Sequence, residues 1–358
     1  MKFVMLLEGI FPALTTPFYP DGRLYLRKLE QNVERYSRTP VAGFVVLGST
    51  GEVGFLREEE QIQVLETVAE IAAPEKVLLA GVGQESVLAT LAMAERAARL
   101  NYDAVLVRTP HYYRAQMRPA EMLHYYRAVA DASPLPVLLY SVPACTAYEL
   151  PVELAAQLAQ HPNIIGIKDS SNNPTRIGEI VRATRAVKHI VTVTPSFAAV
   201  TERMVQTASR ETVSSLVQLE VMSGADVGAT PMPVQVAPTF KTRTREVGFQ
   251  VLAGSAASLH ASLEAGASGA VIALASAAPQ ACYEVFAAHK ELNPALAAEK
   301  QLRLLPAAKR IAAEMGIPGV KYAAELNGYF GGFPRAPLLP LTAAEKAEVT
   351  ELMADLQA

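Results

Sequence analysis

Short, uninterrupted apolar runs alternate with longer stretches of helical periodicity along most of the chain. The runs are Ile10–Thr15, Val41–Gly48, Lys76–Gly81, Ala104–Thr109, Pro136–Val142, Ile164–Lys168, Val251–Ser255 and Ala270–Ala275. Continuous rather than alternating apolarity suits parallel strands covered on both faces. Between them, helices are predicted at Leu24–Ser37, Glu58–Ala73, Val87–Leu100, Ala120–Ala130 and Pro151–Ala159. Arg57-Glu58-Glu59-Glu60 supplies the acidic first turn that the helix dipole favours. Eight strands with intervening helices predict an α/β fold, a (β/α)8 TIM barrel; an open doubly wound sheet is the alternative.

One interval breaks the rhythm. After Ile164 the next apolar run begins only at Val251, and a single crossover helix at Thr175–Ala186 cannot fill the gap. The surplus, about 188–248, lies between strands 6 and 7. It contains a β-like run "HIVTVTPSF", a helix candidate around Val200–Leu219, the Gly- and Pro-rich "GADVGATPMPVQVAPTF", and a basic patch "KTRTR". This reads as an insertion with partial structure, or as a mobile loop. From Asn293 the pattern is helical only, at Ala295–Met315, Val320–Leu326 and Thr342–Leu356, punctuated by "GIPG" and "GYFGGFPRAPLLP". "LTAAEKAE" begins with a threonine cap. The expected organisation is therefore a barrel over 1–292, carrying the insertion, and a helical extension over 293–358.

Composition narrows the function classes. With 51% hydrophobic residues among 358, a sizeable core is available. Lys and Arg total 32 against 35 Asp and Glu, a net charge of −3, so no nucleic-acid or anionic-membrane partner is expected. Arg243 and Arg245 belong to a basic patch too small for such a surface and read as a solvated loop. Two cysteines, Cys145 and Cys282, suggest neither a disulfide framework nor a thiolate metal site. No apolar stretch has membrane-span length, and the opening "MKFVMLLEGIFPALTTPF" lacks a long apolar leader core, so a cytoplasmic protein is the simplest expectation.

Barrel chemistry sits where the C-terminal strand ends converge. Those ends read Thr16-Pro17-Phe18, Gly48-Ser49-Thr50-Gly51-Glu52, Thr109–Arg114, Tyr140-Ser141-Val142-Pro143, Lys168-Asp169-Ser170 and Gly254-Ser255. "GSTGE" presents two hydroxyls and backbone donors suited to a carboxylate, or simply makes a tight turn; its spacing is not that of a P-loop. Lys168 ends the apolar run "IIGI", where a lysine is uncommon. A low-dielectric surrounding favours a neutral amine able to attack a carbonyl. A solvent-facing strand end is the other reading. Tyr140, one strand earlier, is either a proton shuttle for that amine or a core tyrosine. Of six histidines, His111 is nearest these ends and reads as a loop residue. No His/Asp/Glu grouping shows ligand spacing, and dinucleotide glycine fingerprints are missing, so no metal or cofactor is expected.

"FPALTTPF", "GSTGE", "YSVP" and "IGIKDS", in this order and spacing, resemble the dihydrodipicolinate synthase / N-acetylneuraminate lyase family of pyruvate-dependent class I aldolases. The resemblance covers about Gly9–Val187 and Phe249–Pro340. It implies a barrel with a C-terminal helical domain, commonly a homotetramer, acting on a small 2-oxo acid. It also implies that Lys168 is the Schiff-base lysine and Tyr140 the proton-transferring tyrosine. Ser49 and Thr50 match the hydroxyl pair that contacts the pyruvate carboxylate and links the proton relay. Tyr112 or Tyr113 matches the tyrosine reaching toward a neighbouring subunit's site, and Gly254, Ser255 and Ile272 complete the substrate-binding set.

The turn after the tyrosine narrows the substrate. Dihydrodipicolinate synthases usually carry an arginine there for the carboxylate of aspartate semialdehyde, whereas this chain has Ala144-Cys145-Thr146. A thiol does not replace a guanidinium. "LPVLLYSVPACT", "HPNIIGIKDS", "FQVLAGSA" and "GIPGVKY…GYFGGFPRAPL" resemble the 4-hydroxy-2-oxoglutarate aldolase branch instead. The implied reaction is reversible cleavage of 4-hydroxy-2-oxoglutarate to pyruvate and glyoxylate. A 4-hydroxy-tetrahydrodipicolinate synthase, a sugar-acid lyase or dehydratase, and a catalytically silent binding barrel are the alternatives.

Overall fold

The computed structural model describes residues 4–208 and 241–357. Eight parallel strands form a nearly closed (β/α)8 barrel: β1 (Gly9–Pro12), β2 (Gly43–Val46), β3 (Val77–Gly81), β4 (Ala104–Arg108), β5 (Val137–Ser141), β6 (Ile164–Asp169), β9 (Gln250–Ala253) and β10 (Gly269–Ile272). Their order is β1-β10-β9-β6-β5-β4-β3-β2. At the β1–β2 seam, the Leu14 amide donates to Val45 O (2.9 Å) and the Ala42 amide to Ile10 O (2.9 Å). Every strand is buried on both faces. Leu79, Leu106, Leu138, Leu252 and Val271 fill the barrel interior. Leu78, Val105, Leu139 and Ile272 pack outward against the helices. That double burial is why the runs are continuously apolar.

The remaining two strands, β7 (His189–Val193) and β8 (Arg243–Val247), pair antiparallel in the insertion. Of "HIVTVTPSF", the first five residues form that strand. "KTRTR", expected as a loop, is largely strand: Arg245 pairs with Glu8 at 2.7 Å, and Arg243 lies over the Phe197 ring. Residues 202–208 are helical, with Val200 and Thr201 preceding that helix; residues 209–219 of the Val200–Leu219 candidate and "GADVGATPMPVQVAPTF" lie outside the described residues.

The described insertion packs on the N-terminal end of the barrel, opposite Lys168. Leu6, Val191 and Val193 form a small cluster there, and Val4 bridges Val191. The Thr201 hydroxyl donates to Pro74 O, and Arg203 donates to Lys76 O and lies 3.4 Å from Asp103, all just before β3 and β4. Burial pushes the Asp103 carboxyl up to about 6 against the pull of Arg203.

After β10, helices follow at Pro279–Lys290, Pro294–Ala307, Gly316–Leu326 and Ala343–Met353. The predicted interruption at "GIPG" differs in form. A π-helical stretch, Ala308–Met315, joins the helices on either side, with Gly316 at φ +66°. Pro318 has no N–H to donate to an α-helical turn. The threonine cap forms as a reciprocal box: the Glu345 amide donates to Thr342 Oγ1 (3.3 Å) and the Thr342 amide to Glu345 Oε2 (2.8 Å). Among the described residues no helix is long and apolar enough to cross a membrane.

Arg335 ties the C-terminal segment to the barrel through a two-pronged bond to Glu60, 2.7 Å on each oxygen. Those bonds draw the Glu60 carboxyl down from 4.5 to about 2. Its folded value lies below its unfolded one, so the stability it contributes is complete above the unfolded value and is lost as pH falls through the folded one. Urea titrations of Glu60→Gln are expected to show a flatter acid limb than the parent between pH 4.5 and 2. Parallel limbs would remove Glu60 from the acid response.

Candidate active site

The site is built from strand ends. On β6, Gly166 permits close approach to β9, since a Cβ there would lie 2.2 Å from Gln250 O. Asn173 caps the following helix, Pro174–Ala183, accepting from the Thr175 (3.1 Å) and Arg176 (3.3 Å) amides. This brackets Lys168, only 4% exposed and facing the interior. Its Nζ stands 4.1 Å from the centroid of the Tyr140 ring, on the paired position of β5. No carboxylate ion-pairs with it among the described residues. Its neighbour Asp169 points away and is neutralised by Arg176 at 2.9 Å. The lysine at the end of "IIGI" is therefore a buried, unpaired amine.

The Tyr140 hydroxyl lies 3.4 Å from Ser49 Oγ. Ser49 begins a 3₁₀ turn, Ser49–Gly51, with Thr50 half-buried beside it. Two non-glycine residues with left-handed backbones flank this turn, Leu47 (φ 59°) and Glu52 (φ 57°). Such conformations persist only when their surroundings enforce them. Here Thr16 Oγ1 donates to Gly51 O (2.7 Å), and Glu52 is clamped by the C-terminal segment. Lys321 Nζ lies 2.5 Å from Glu52 Oε1, and the Arg335 amide donates to Oε2 at 2.7 Å. Both charged side chains of that pair are essentially inaccessible.

Arg108 ends β4 and is absent from the site residues expected from sequence, where the strand-end loop starts at Thr109. It occupies the position paired with Tyr140 on β5, and a cavity of about 20 Å³ is lined by Ser49, Tyr140, Arg108 and Gly83. Gly83 is required there: a Cβ would come within 2.8 Å of Arg108 Cγ. One guanidinium nitrogen, Nη1, is held by Glu85 (3.0 Å), and His111 Nδ1 lies 2.8 Å from both groups. Burial alone would raise the Glu85 carboxyl. The Tyr112 and His111 amides and Arg108 bring it below its ordinary value. The available signal was positional: Arg108, like Lys168, ends an apolar run.

A family model described as the dihydrodipicolinate synthetase family matches residues 6–194 and 197–356. The chain belongs to that family. Membership in the dihydrodipicolinate synthetase family makes it a pyruvate-dependent, class I aldolase or lyase, breaking or making a carbon–carbon bond through a lysine Schiff base. It is 29% identical over 353 residues to a 4-hydroxy-tetrahydrodipicolinate synthase of Acidiphilium cryptum, covering 98% of this chain and 99% of that one. It is 42% identical over 188 residues to one from Xanthomonas campestris pv. campestris, covering 52% of this chain and 61% of that protein. The fold is similar to that of the dihydrodipicolinate synthase from Acinetobacter baumannii, solved with pyruvate. That comparison gives a TM-score of 0.77 at 23% identity, over 98% of this chain and 99% of the other.

Other residues matched to the dihydrodipicolinate synthetase family pattern are distributed unevenly. Gly254 is packed against β6, its amide donating to Asp169 O at 2.7 Å, and the Ser255 hydroxyl accepts from the Ala257 amide at 3.2 Å. The Ile272 side chain faces the helical layer, away from Lys168, so only its backbone is available on the interior side. Tyr112 (77% exposed) and Tyr113 (63%) stand outside the Lys168 cluster. They line a separate cavity of about 410 Å³ with Cys145, which is exposed and a free thiol. Against the expectation that no ligand grouping exists, the fold gathers His260, Glu264 and His289 with ligand atoms within 4.8 Å. They lie on helices Leu259–Glu264 and Pro279–Lys290, outside the barrel. Only the first pair, at i and i+4, shares an element that sequence spacing could reveal.

Proposed function

We propose that Lys168 forms the iminium with pyruvate and that Tyr140, through Ser49, moves the proton. The observation that carries this reading is the buried Lys168 amine, free of any carboxylate partner among the described residues, set over the Tyr140 ring. Nζ attacks the C2 ketone, water leaves with the Tyr140 proton, and the resulting phenolate removes a proton from C3, acidified by the iminium, to give an enamine. In the condensing direction, C3 of the enamine attacks an aldehyde carbon. Tyr140 gives its proton to the new alkoxide, and hydrolysis frees Lys168. Cleavage is the reverse. Ser49 and Thr50 are proposed to hold the pyruvate carboxylate with the donors of their turn.

For the second substrate, the relatives' names favour condensation with aspartate semialdehyde, the 4-hydroxy-tetrahydrodipicolinate synthase reaction. A second reading, cleavage of 4-hydroxy-2-oxoglutarate to pyruvate and glyoxylate, is favoured by Cys145 in place of an arginine after Tyr140. Steady-state rates on the two aldehydes with saturating pyruvate separate them. The first reading expects the larger kcat/KM for aspartate semialdehyde. A preference for glyoxylate would replace it with the second, and turnover of neither would overturn both.

A further inference from the structure

We propose that Arg108 is the anchor for a carboxylate on the aldehyde substrate. The guanidinium absent from the turn after Tyr140 would then be supplied from β4. This rests on the iminium reading given above.

Three observations converge on that role. First, position: Arg108 projects inward from the C-terminal end of β4, paired with Tyr140, and shares with Tyr140 and Ser49 the lining of one cavity. An aldehyde attacked by the enamine must bring its oxygen to the Tyr140 hydroxyl, and the proposal directs its carboxylate toward the β4 side of the site, which Arg108 lines. Second, preparation: Arg108 is only 21% exposed along its side chain, and Gly83 leaves the space its stem occupies. Third, unsatisfied capacity. Glu85 engages Nη1, while Glu85 Oε2 is already occupied by the His111 and Tyr112 amides at 2.9 Å each. Among the described residues no hydrogen bond is made by Nε or Nη2. Those two donors form the edge of the guanidinium fork that fits a carboxylate.

Both candidate aldehydes carry a carboxylate, so this subsite selects a class, not one member of it. An oxo-acid aldehyde is preferred over a neutral aldehyde of the same length. Glu85, by fixing Nη1, is a positioning residue for the guanidinium.

The test compares the parent protein, Arg108→Gln and Arg108→Lys. Each is first trapped with pyruvate and borohydride, then assayed with a carboxylated aldehyde (glyoxylate or aspartate semialdehyde) and with neutral glycolaldehyde. Arg108→Gln is expected to trap pyruvate on Lys168 as the parent does. Its kcat/KM for the carboxylated aldehyde should fall roughly 10- to 100-fold, the loss of a charge-assisted bond, mainly through KM. The value for glycolaldehyde should hold, and Arg108→Lys should recover part of the loss. If the ratio of carboxylated to neutral aldehyde is unchanged in Arg108→Gln while pyruvate still traps, the subsite is wrong and the iminium reading stands. If the parent itself traps no pyruvate, the iminium reading fails and the subsite falls with it.

Discussion

Substitution of Lys168 by alanine is expected to erase both the borohydride-trapped pyruvate adduct and turnover, with the fold intact. In the parent, peptide mass spectrometry should find a reduced pyruvyl addition of about 72 Da on Lys168 alone. Losing the nucleophile should lower kcat/KM on the order of 10⁴-fold or more, because no other group can make the electron sink. The fold should tolerate the change. Among the described residues Lys168 has no ion-pair partner to strand, unlike Asp169, whose removal would cost the buried Arg176 its 2.9 Å partner and leave it only Glu149 at 3.7 Å. Lys76 and Lys321, the other buried lysines among the described residues, are engaged by backbone carbonyls, so neither is a substitute nucleophile. An adduct that persists in Lys168→Ala, or maps to another lysine, would overturn the assignment.

The barrel was legible because its cause is simple. Strands such as Val77–Gly81 and Ala104–Arg108 are covered by interior side chains on one face and helices on the other, so their sequences carry no polar alternation. The Lys168–Tyr140–Ser49 cluster was legible for a related reason: polar side chains ending apolar runs converge where barrel strands end. Arg108 obeys the same rule, one residue before the Thr109–Arg114 loop to which the sequence pattern assigns the strand end. The place of the insertion was implicit in connectivity. It follows the helix Pro174–Ala183 and precedes β9, and in a right-handed (β/α)8 barrel the chain between a helix and the next strand lies at the N-terminal end. Reading the segment by composition alone hid that constraint. Strand pairing of "KTRTR" depends on β7, more than forty residues earlier, and on Glu8, so no local pattern announces it.

The contact least visible in sequence is the one expected to matter most for stability. Lys321 sits in "GIPGVKY", where a lysine on a helix reads as solvated, yet it is 1% exposed and paired with Glu52 across the whole chain. Burial pushes its ammonium down, and the Glu52 carboxylate pulls it back up. Lys321→Met removes the ammonium that lies over the Phe18 ring and strands Glu52, leaving the Arg335 amide as its remaining partner. Breaking a buried pair by removing one member costs about 3–5 kcal/mol, which urea titration should read directly. The same substitution releases the left-handed Glu52 and with it the turn holding Ser49 and Thr50, so KM for pyruvate should rise even in protein that remains folded. Replacing both partners, as in Glu52→Gln/Lys321→Met, removes the stranded charge and should regain much of the stability. It should not regain the pyruvate KM, because the turn is still unclamped. Stability of Lys321→Met within about 0.5 kcal/mol of the parent would mean that the C-terminal helices do not hold the hydroxyl turn through this pair.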